Sequence, residues 1–172
     1  MAIQYTIYGT MAEAETYFAN RLHSGAWDRA SAETRRRALI GATNIIDTLA
    51  YKGSKAAVCT LLAADPDATD AEIRAAEATQ YHEFPRGEDT DTPDDIVRAA
   101  YEIAFSLLDG KDPEMELEAM GISSQGIESV RTTYARQQLP IEHIINGVPN
   151  ALAWRLIRPF LRDGKCIQII RV

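Results

Sequence analysis

The chain has 172 residues, of which 46% are hydrophobic; this fits one domain with a sizeable core and excludes global disorder. No run approaches the roughly 18 apolar residues of a membrane-spanning helix. The N-terminus, MAIQYTIYGT, lacks a basic n-region and a long apolar run, so we expect no signal peptide. Cys59 and Cys166 lie far apart, outside any metal-binding spacing, and we expect free thiols in a reducing cytosol.

The net charge of −7 is unevenly distributed along the chain. Residues 63–120 contain 17 acidic and 4 basic side chains, a net charge of −13, whereas residues 1–62 carry +2 and residues 136–172 carry +4. The acidic middle would repel a phosphate backbone, and the basic last segment would tolerate one. The simpler interpretation of the acidic stretch, a solvated face, stays open.

The first predicted elements are a strand and a capped helix. Residues 3–9 alternate and are rich in β-forming side chains, which predicts a short strand or extended arm. Thr10 and Glu13 match the T-x-x-E pattern of a capping box, so a helix should run from there to about His23. The side chains on its predicted buried side are Met11, Ala14, Tyr17, Phe18 and Leu22. Trp27, in the following loop, should pack over the helix pair.

A second helix is predicted after Ser31, its N-cap. The apolar stripe that supports it is Leu39, Ala42, Ile45, Ile46 and Leu49. Gly53 is the predicted stop. The arginines at 35–37 point in different directions on a helix, which indicates surface or intersubunit pairs rather than a nucleic-acid stripe.

The segment 56–80 should be peripheral. Asp65-Pro66-Asp67 predicts a turn. Thr69 or Asp70 can then cap a short, acidic, alanine-rich helix with few large apolar side chains.

The best-defined helix follows the stretch FPRGEDTDTP. Thr92 is its predicted N-cap and Pro93 its first residue, where the missing N–H costs nothing. The Asp94-Asp95 pair favours the positive end of the helix dipole, and Gly110 ends the helix. The predicted core stripe is Ile96, Ala100, Ile103, Ala104, Leu107 and Leu108. We expect this helix at the centre of the core, with Phe84-Pro85 holding the loop before it.

The C-terminal part combines short elements. Residues 113–121 predict a short turn or helix, and residues 127–136 a strand after a turn at Ser124-Gln125-Gly126. Residues 150–161 predict a last helix, which Pro149 can open and Pro159 should kink or end. Residues 165–172 are rich in β-branched side chains and predict a strand without an obvious partner.

No set of side chains indicates catalysis or a cofactor. His23, His82 and His143 lack an i,i+4 partner, which favours surface or loop positions over metal binding. The Asp94-Asp95 pair could be catalytic carboxylates, but the helix start explains both. The sequence has no Walker loop, GxGxxG or GxSxG motif. We expect a non-enzyme without cofactor or metal, although a Ser or Cys nucleophile with a distant base leaves no sequence signal.

The order of several motifs resembles a known family. These are YGT-x-x-EAETYFANRL, Trp27, the ALIGAT helix, Phe84-Pro85-Arg86 before the long helix, GISSQGIESVRTTYAR and RLIRPFL. Together they resemble the head–tail connector adaptors of tailed phages, also called head-completion proteins. Some relatives carry the label "DnaT-like single-stranded DNA-binding". The resemblance covers most of residues 5–161, and the acidic segment 60–80 departs from it.

The resemblance implies a structural virion protein. The family fold is mainly α, a small helical bundle with a short β-hairpin or strand segment that mediates ring contacts, and extended terminal arms. Identical subunits form a ring, twelvefold in the family, beneath the portal protein in the virion neck. The ring extends the DNA channel and receives the next connector or tail protein. Genomic DNA would pass without specific binding, no membrane would be involved, and assembly would take place in the host cytoplasm.

We divide the chain into a helical adaptor domain, residues 1–162, and an extended docking tail, residues 163–172. Asp163-Gly164 should break the last helix, and an unpaired apolar strand seeks a sheet edge or a groove. The predicted interface with the portal or another partner comprises Arg158, Arg162, Lys165, Ile167, Ile169, Ile170 and Arg171. Pairing of the tail with residues 3–8 of its own chain is the alternative.

Two other functions stay open. A single-stranded DNA-binding, DnaT-like protein needs exposed aromatic side chains and a basic groove. Aromatic residues are only 8% of the chain, and Trp154 and Phe160 of the basic segment lie on a helix face predicted to be buried. A general helical interaction module is the third possibility.

Overall fold

The computed structural model describes residues 6–115, 124–127, 130–133 and 142–162. The longer helices are α1 (Met11–Ala19), α3 (Ala32–Asp47), α4 (Ala56–Ala64), α5 (Asp70–Thr79) and α6 (Asp94–Leu108). The shorter ones are α2 (Gly25–Arg29), α7 (Glu142–Ile145) and α8 (Ala151–Ile157), which continues into a 3-10 turn at Arg158–Phe160. The strands are β1 (Ser124–Ile127) and β2 (Val130–Thr133). The fold is mainly α, as predicted, and none of the described helices is long and apolar enough to cross a membrane.

Helix α6 is the centre of the core, as predicted. It packs against α3 and against α8. The α6 side chains that are fully buried include Ile96, Ala99, Ala100, Ile103 and Ala104. Leu107 and Leu108, which were assigned to the same stripe, are half-buried at its edge.

The start of α6 lies one residue later than predicted. Pro93, not Thr92, is the N-cap, and no side chain caps the helix. Pro93 has an extended backbone with ψ of 139°, so that its carbonyl can accept the amides of Ile96 and Val97. The Asp94-Asp95 pair does lie in the first turn, and Gly110 follows the end with a φ of +80°.

Helix α1 begins as predicted and ends early. The Thr10 hydroxyl accepts the Glu13 amide at 3.2 Å, and the Glu13 carboxylate accepts the Thr10 amide at 2.8 Å, so the capping box is confirmed. The helix ends at Ala19 rather than near His23, whose φ is +60°. Leu22 is 83% exposed, which contradicts its assignment to the core.

For residues 3–9 a short strand or an extended arm was predicted, and residues 6–9 form no strand. Residues 3–5 lie outside the described part. The Tyr8 amide donates to the Thr43 hydroxyl at 3.1 Å instead of entering a β-ladder. Gly9 has a φ of +74°, and any side chain there would collide with Val97 and Tyr101. The segment is therefore held by contacts with α3 and α6.

Trp27 packs as predicted, but it lies in helix α2 rather than in a loop. It is buried, and its ring stacks on Phe18 at 4.2 Å between centroids. Ser31 is the N-cap of helix α3, as predicted, and its hydroxyl accepts the Thr34 amide at 3.1 Å.

Helix α3 ends at Asp47, not at Gly53. Residues 50–52 instead run extended beside the chain's last described segment. The Lys52 amide donates to the Phe160 carbonyl and the Arg162 amide donates to the Ala50 carbonyl, both at 2.9 Å. Because residues 50–52 form these bonds, they do not continue helix α3.

The α4–α5 hairpin, residues 56–79, was predicted only in part. The turn at Asp65-Pro66-Asp67 and the Thr69 cap are confirmed, because Thr69 forms a capping box with Glu72. No residue of α5 is buried, so its peripheral position is confirmed as well. Helix α4 was missed because its sequence, AAVCTLLAA, has no polar face that would reveal a helical period.

The strands form an antiparallel hairpin in which Ser124 is opposite Thr133 and Ile127 is opposite Val130. Residues 124–126 are therefore strand, whereas a turn was predicted there. Asn150 caps α8, and the α-helix ends before Pro159, as expected. Residues 113–115 are helical. The rest of that predicted element, the strand at 165–172 and the tail 163–172 lie outside the described part.

Candidate interaction surfaces

The Phe84-Pro85-Arg86 turn fastens one end of the bundle. Its Phe84-Pro85 peptide bond is cis. Phe84 is buried edge-to-face against Tyr51 at 4.7 Å and against Phe160 at 5.7 Å. The Arg86 guanidinium donates to backbone carbonyls of residues 52 and 53 and to the Glu83 carboxylate. All of these contacts are internal, so the turn has a structural role.

Asp47 organises a polar network behind this turn. Its carboxylate accepts the Tyr8 hydroxyl, the Glu83 amide at 3.1 Å and His82 Nδ1 at 2.7 Å. His82 Nε2 lies 2.5 Å from the Thr6 hydroxyl. Burial and the hydrogen bond to Asp47 raise the pKa of Tyr8 far above its usual value of 10.0.

The order hydroxyl, imidazole and carboxylate at Thr6, His82 and Asp47 is that of a nucleophile activated by a base. Catalysis also needs a substrate cavity and oxyanion donors beside the hydroxyl. Three grooves of about 470 to 700 Å³ on the described part of the chain are lined by other residues. The network's hydrogen bonds join the chain before α1 and helix α3 to the loop before α6.

A buried ion pair joins three helices on another side of the bundle. Glu102 of α6 is 1% exposed and accepts two bonds from Arg21, at 2.8 and 3.0 Å. Tyr17 donates its hydroxyl at 2.7 Å, and Asn150, the α8 cap, donates at 3.3 Å. Burial raises the pKa of Glu102, but the hydrogen bonds from Arg21 and Tyr17 and the charge of Arg21 outweigh it, so the net shift is downward.

A groove of about 700 Å³ runs between α1 and the first half of α6. Tyr17 and Val97 are among its apolar lining residues, and Arg21 and Arg98 are among its charged ones. It is open to solvent. In the described part of the chain, no group of three His, Cys, Asp or Glu side chains could hold a metal ion.

Of the predicted partner interface, the structure describes two residues. Arg158 is exposed and lies 4.0 Å from Glu142, and Arg162 is exposed. Lys165, Ile167, Ile169, Ile170 and Arg171 lie outside the described residues, so their role stays a prediction.

The β1–β2 hairpin is a second candidate surface. Its two strands pair with each other, and among the described residues no third strand joins them. Each strand thus has an outer edge of backbone donors and acceptors that the described sheet leaves unpaired.

No protein-family model matches the chain, and neither the curated proteins nor the solved structures that were compared give a significant match.

Proposed function

We propose that the protein is a head–tail connector adaptor, a structural virion protein that forms a ring beneath a phage portal. The observation that carries the proposal is the β1–β2 hairpin. Two strands alone are marginally stable in water, and open strand edges favour pairing with another chain. Neighbouring hairpins joined edge to edge around a ring would satisfy those backbone groups.

The motifs that carry the resemblance specify the bundle, which supports the proposal. Leu39 and Ala42, in the ALIGAT segment, are fully buried in the core that α3 forms with α6. Trp27 stacks on Phe18, and the Phe84-Pro85-Arg86 turn closes the end of the bundle. In this proposal the same bundle serves as the ring subunit.

Imaging of the purified protein tests the proposal. We expect negative-stain electron microscopy and native mass measurement to show a closed ring of identical subunits. A protein that stays monomeric at every accessible concentration would contradict it.

The acidic segment 63–120 suits the channel wall or the outer face of a ring through which DNA slides. The exposed acidic side chains among its described residues include Asp70 and Glu72 of α5 and the Asp94-Asp95 pair of α6. Like charge keeps a moving polyanion from lodging against a wall.

We therefore expect no tight binding of duplex DNA at physiological salt, as measured by fluorescence anisotropy with a labelled duplex. A labelled single-stranded oligonucleotide tests the DnaT-like alternative in the same assay. That alternative requires binding that weakens steeply as salt rises. Trp154 is buried and so offers no stacking platform for a base.

The tail, residues 163–172, is the proposed portal contact together with Arg158 and Arg162. Leu161 forms an isolated antiparallel β-bridge with Tyr51, and the Arg162 amide donates to the Ala50 carbonyl. The amides of Thr48 and Leu49, just before Ala50, already bond to carbonyls at the end of α3, so they are not free to pair with another strand.

Deleting residues 164–172 should abolish attachment to portal-bearing heads and leave the melting temperature unchanged. Co-sedimentation with heads and thermal denaturation measure the two effects. A truncated protein that still attaches normally would contradict portal docking, and one that no longer folds would favour pairing of the tail within its own chain.

A further inference from the structure

Helix α4 is an apolar helix that the described chain leaves partly uncovered. It contains no charged residue, yet Val58 is the one residue that it buries. Among the described elements, α4 and α5 pack chiefly on each other. A helix that is apolar on all sides normally lies inside a protein or an interface. The side chains left half-buried on α4 include Cys59, Leu61 and Leu62.

Exposed acidic groups lie on α5 and on the turn that joins it to α4. Asp70, Glu72 and Glu77 of α5 are exposed, and Arg74 is the one cation on that helix. The connecting turn adds Asp65 and Asp67, which are also exposed. A partner that covers α4 should therefore combine apolar and basic side chains.

The outer face of α8 has that composition. Leu152, which is 47% exposed, lies beside Arg155, three residues on, and beside Leu156, four residues on, which is partly buried against the core. Arg155 is exposed and has no ion-pair partner in the described chain. Arg158, one turn further, lies 4.0 Å from an exposed Glu142 carboxylate, a distance at which the pair is weak.

We propose that the α4–α5 hairpin of one subunit docks on the outer face of α8 in the next subunit. This inference rests on the ring proposed above. The two patches are different parts of one chain, so their pairing is head-to-tail, which is the geometry that generates rings. The hairpin thereby supplies an intersubunit contact in addition to the β1–β2 edges.

Disulfide trapping tests the contact, because α4 already carries Cys59. We would introduce Leu152→Cys in a Cys166→Ser background and oxidise the protein mildly. A disulfide requires Cα atoms within about 7 Å of each other. The expected result is a ladder of covalent multimers on a non-reducing gel. The matched control is Arg36→Cys, at an exposed position of α3, in the same background, and it should give no ladder.

Charge exchange tests the same contact without cysteines. Arg155→Glu and Glu77→Arg should each weaken assembly by about tenfold or more, as close interfacial charge pairs do. The double variant restores opposite charges and should recover assembly, whereas Arg36→Glu should have no effect. Thermal denaturation of each variant confirms that it folds.

The outcomes separate this inference from the proposed function. A ring that forms normally with Arg155→Glu and with Glu77→Arg, and that gives no ladder, would overturn the hairpin contact and leave the connector proposal standing. A wild-type chain that never assembles would overturn both.

Discussion

Replacing Arg21 by alanine is expected to lower the free energy of unfolding by about 3 kcal/mol. The change removes the only cation that bonds to Glu102 in the described part of the chain and leaves a buried carboxylate with the neutral donors Tyr17 and Asn150. An unpaired buried charge costs far more than the loss of a surface ion pair. Chemical denaturation measures the change.

The matched control is Arg37→Ala. Arg37 pairs with Glu33 on the exposed surface of α3 at 3.0 Å. Its loss should change the free energy of unfolding by no more than about 0.5 kcal/mol. Adding Glu102→Gln to Arg21→Ala should recover much of the stability, because the amide keeps an acceptor for Tyr17 and carries no charge. Equal effects of Arg21→Ala and Arg37→Ala would contradict a stabilising role for the buried pair.

The same pair makes stability depend on pH. The pKa of Glu102 is lowered from its ordinary value of 4.5, so its stabilising contribution is present above that pH and is lost as pH falls through the folded-state pKa. Without Arg21, burial should raise the pKa of Glu102. The stability difference between wild type and Arg21→Ala should therefore narrow between about pH 7 and about pH 4. A difference that stays constant over this range would contradict the assignment.

Local rules predicted the starts of helices well. The caps at Thr10, Ser31 and Thr69 each depend on a residue three positions further along the chain, so the sequence pattern contains the whole interaction. The start of α6 was misplaced because Pro93 fits both the first helical position and an extended N-cap.

The ends of α1 and α3 could not be predicted because distant residues determine them. Arg21 turns inward to reach Glu102, which is 81 residues away in sequence. The chain after Asp47 pairs with residues 160–162. A capping pattern in the sequence contains neither partner.

The polar networks were missed for a similar reason. Asp47 joins Tyr8 and His82 across 39 and 35 residues, and no motif links these positions. Glu102 did leave a signal, since it is a single charged residue within the run AAYEIAFSLL of the central helix. A charge on a core helix indicates a buried partner, and Arg21 is that partner.

Replacing Ile103 by alanine is expected to destabilise the fold by about 2 to 5 kcal/mol, the range for large-to-small changes in a packed core. Ile103 is fully buried on α6, the helix that packs against both α3 and α8. The substitution would leave a cavity, because α3 and α8 both pack against α6 and cannot both move in to fill it. Thermal and chemical denaturation measure the loss.

Comparing the stability losses of several variants tests whether α6 is the central helix more sharply than a single stability value does. Leu107→Ala should cost less than Ile103→Ala, because Leu107 is half-buried at the edge of the core, where it faces Gly41 of α3. Thr10→Ala should cost about 1 kcal/mol, because it removes a confirmed cap. Thr92→Ala should cost little, because Thr92 caps nothing. If Ile103→Ala proved no more damaging than Thr92→Ala, α6 could not be the helix on which the bundle is built.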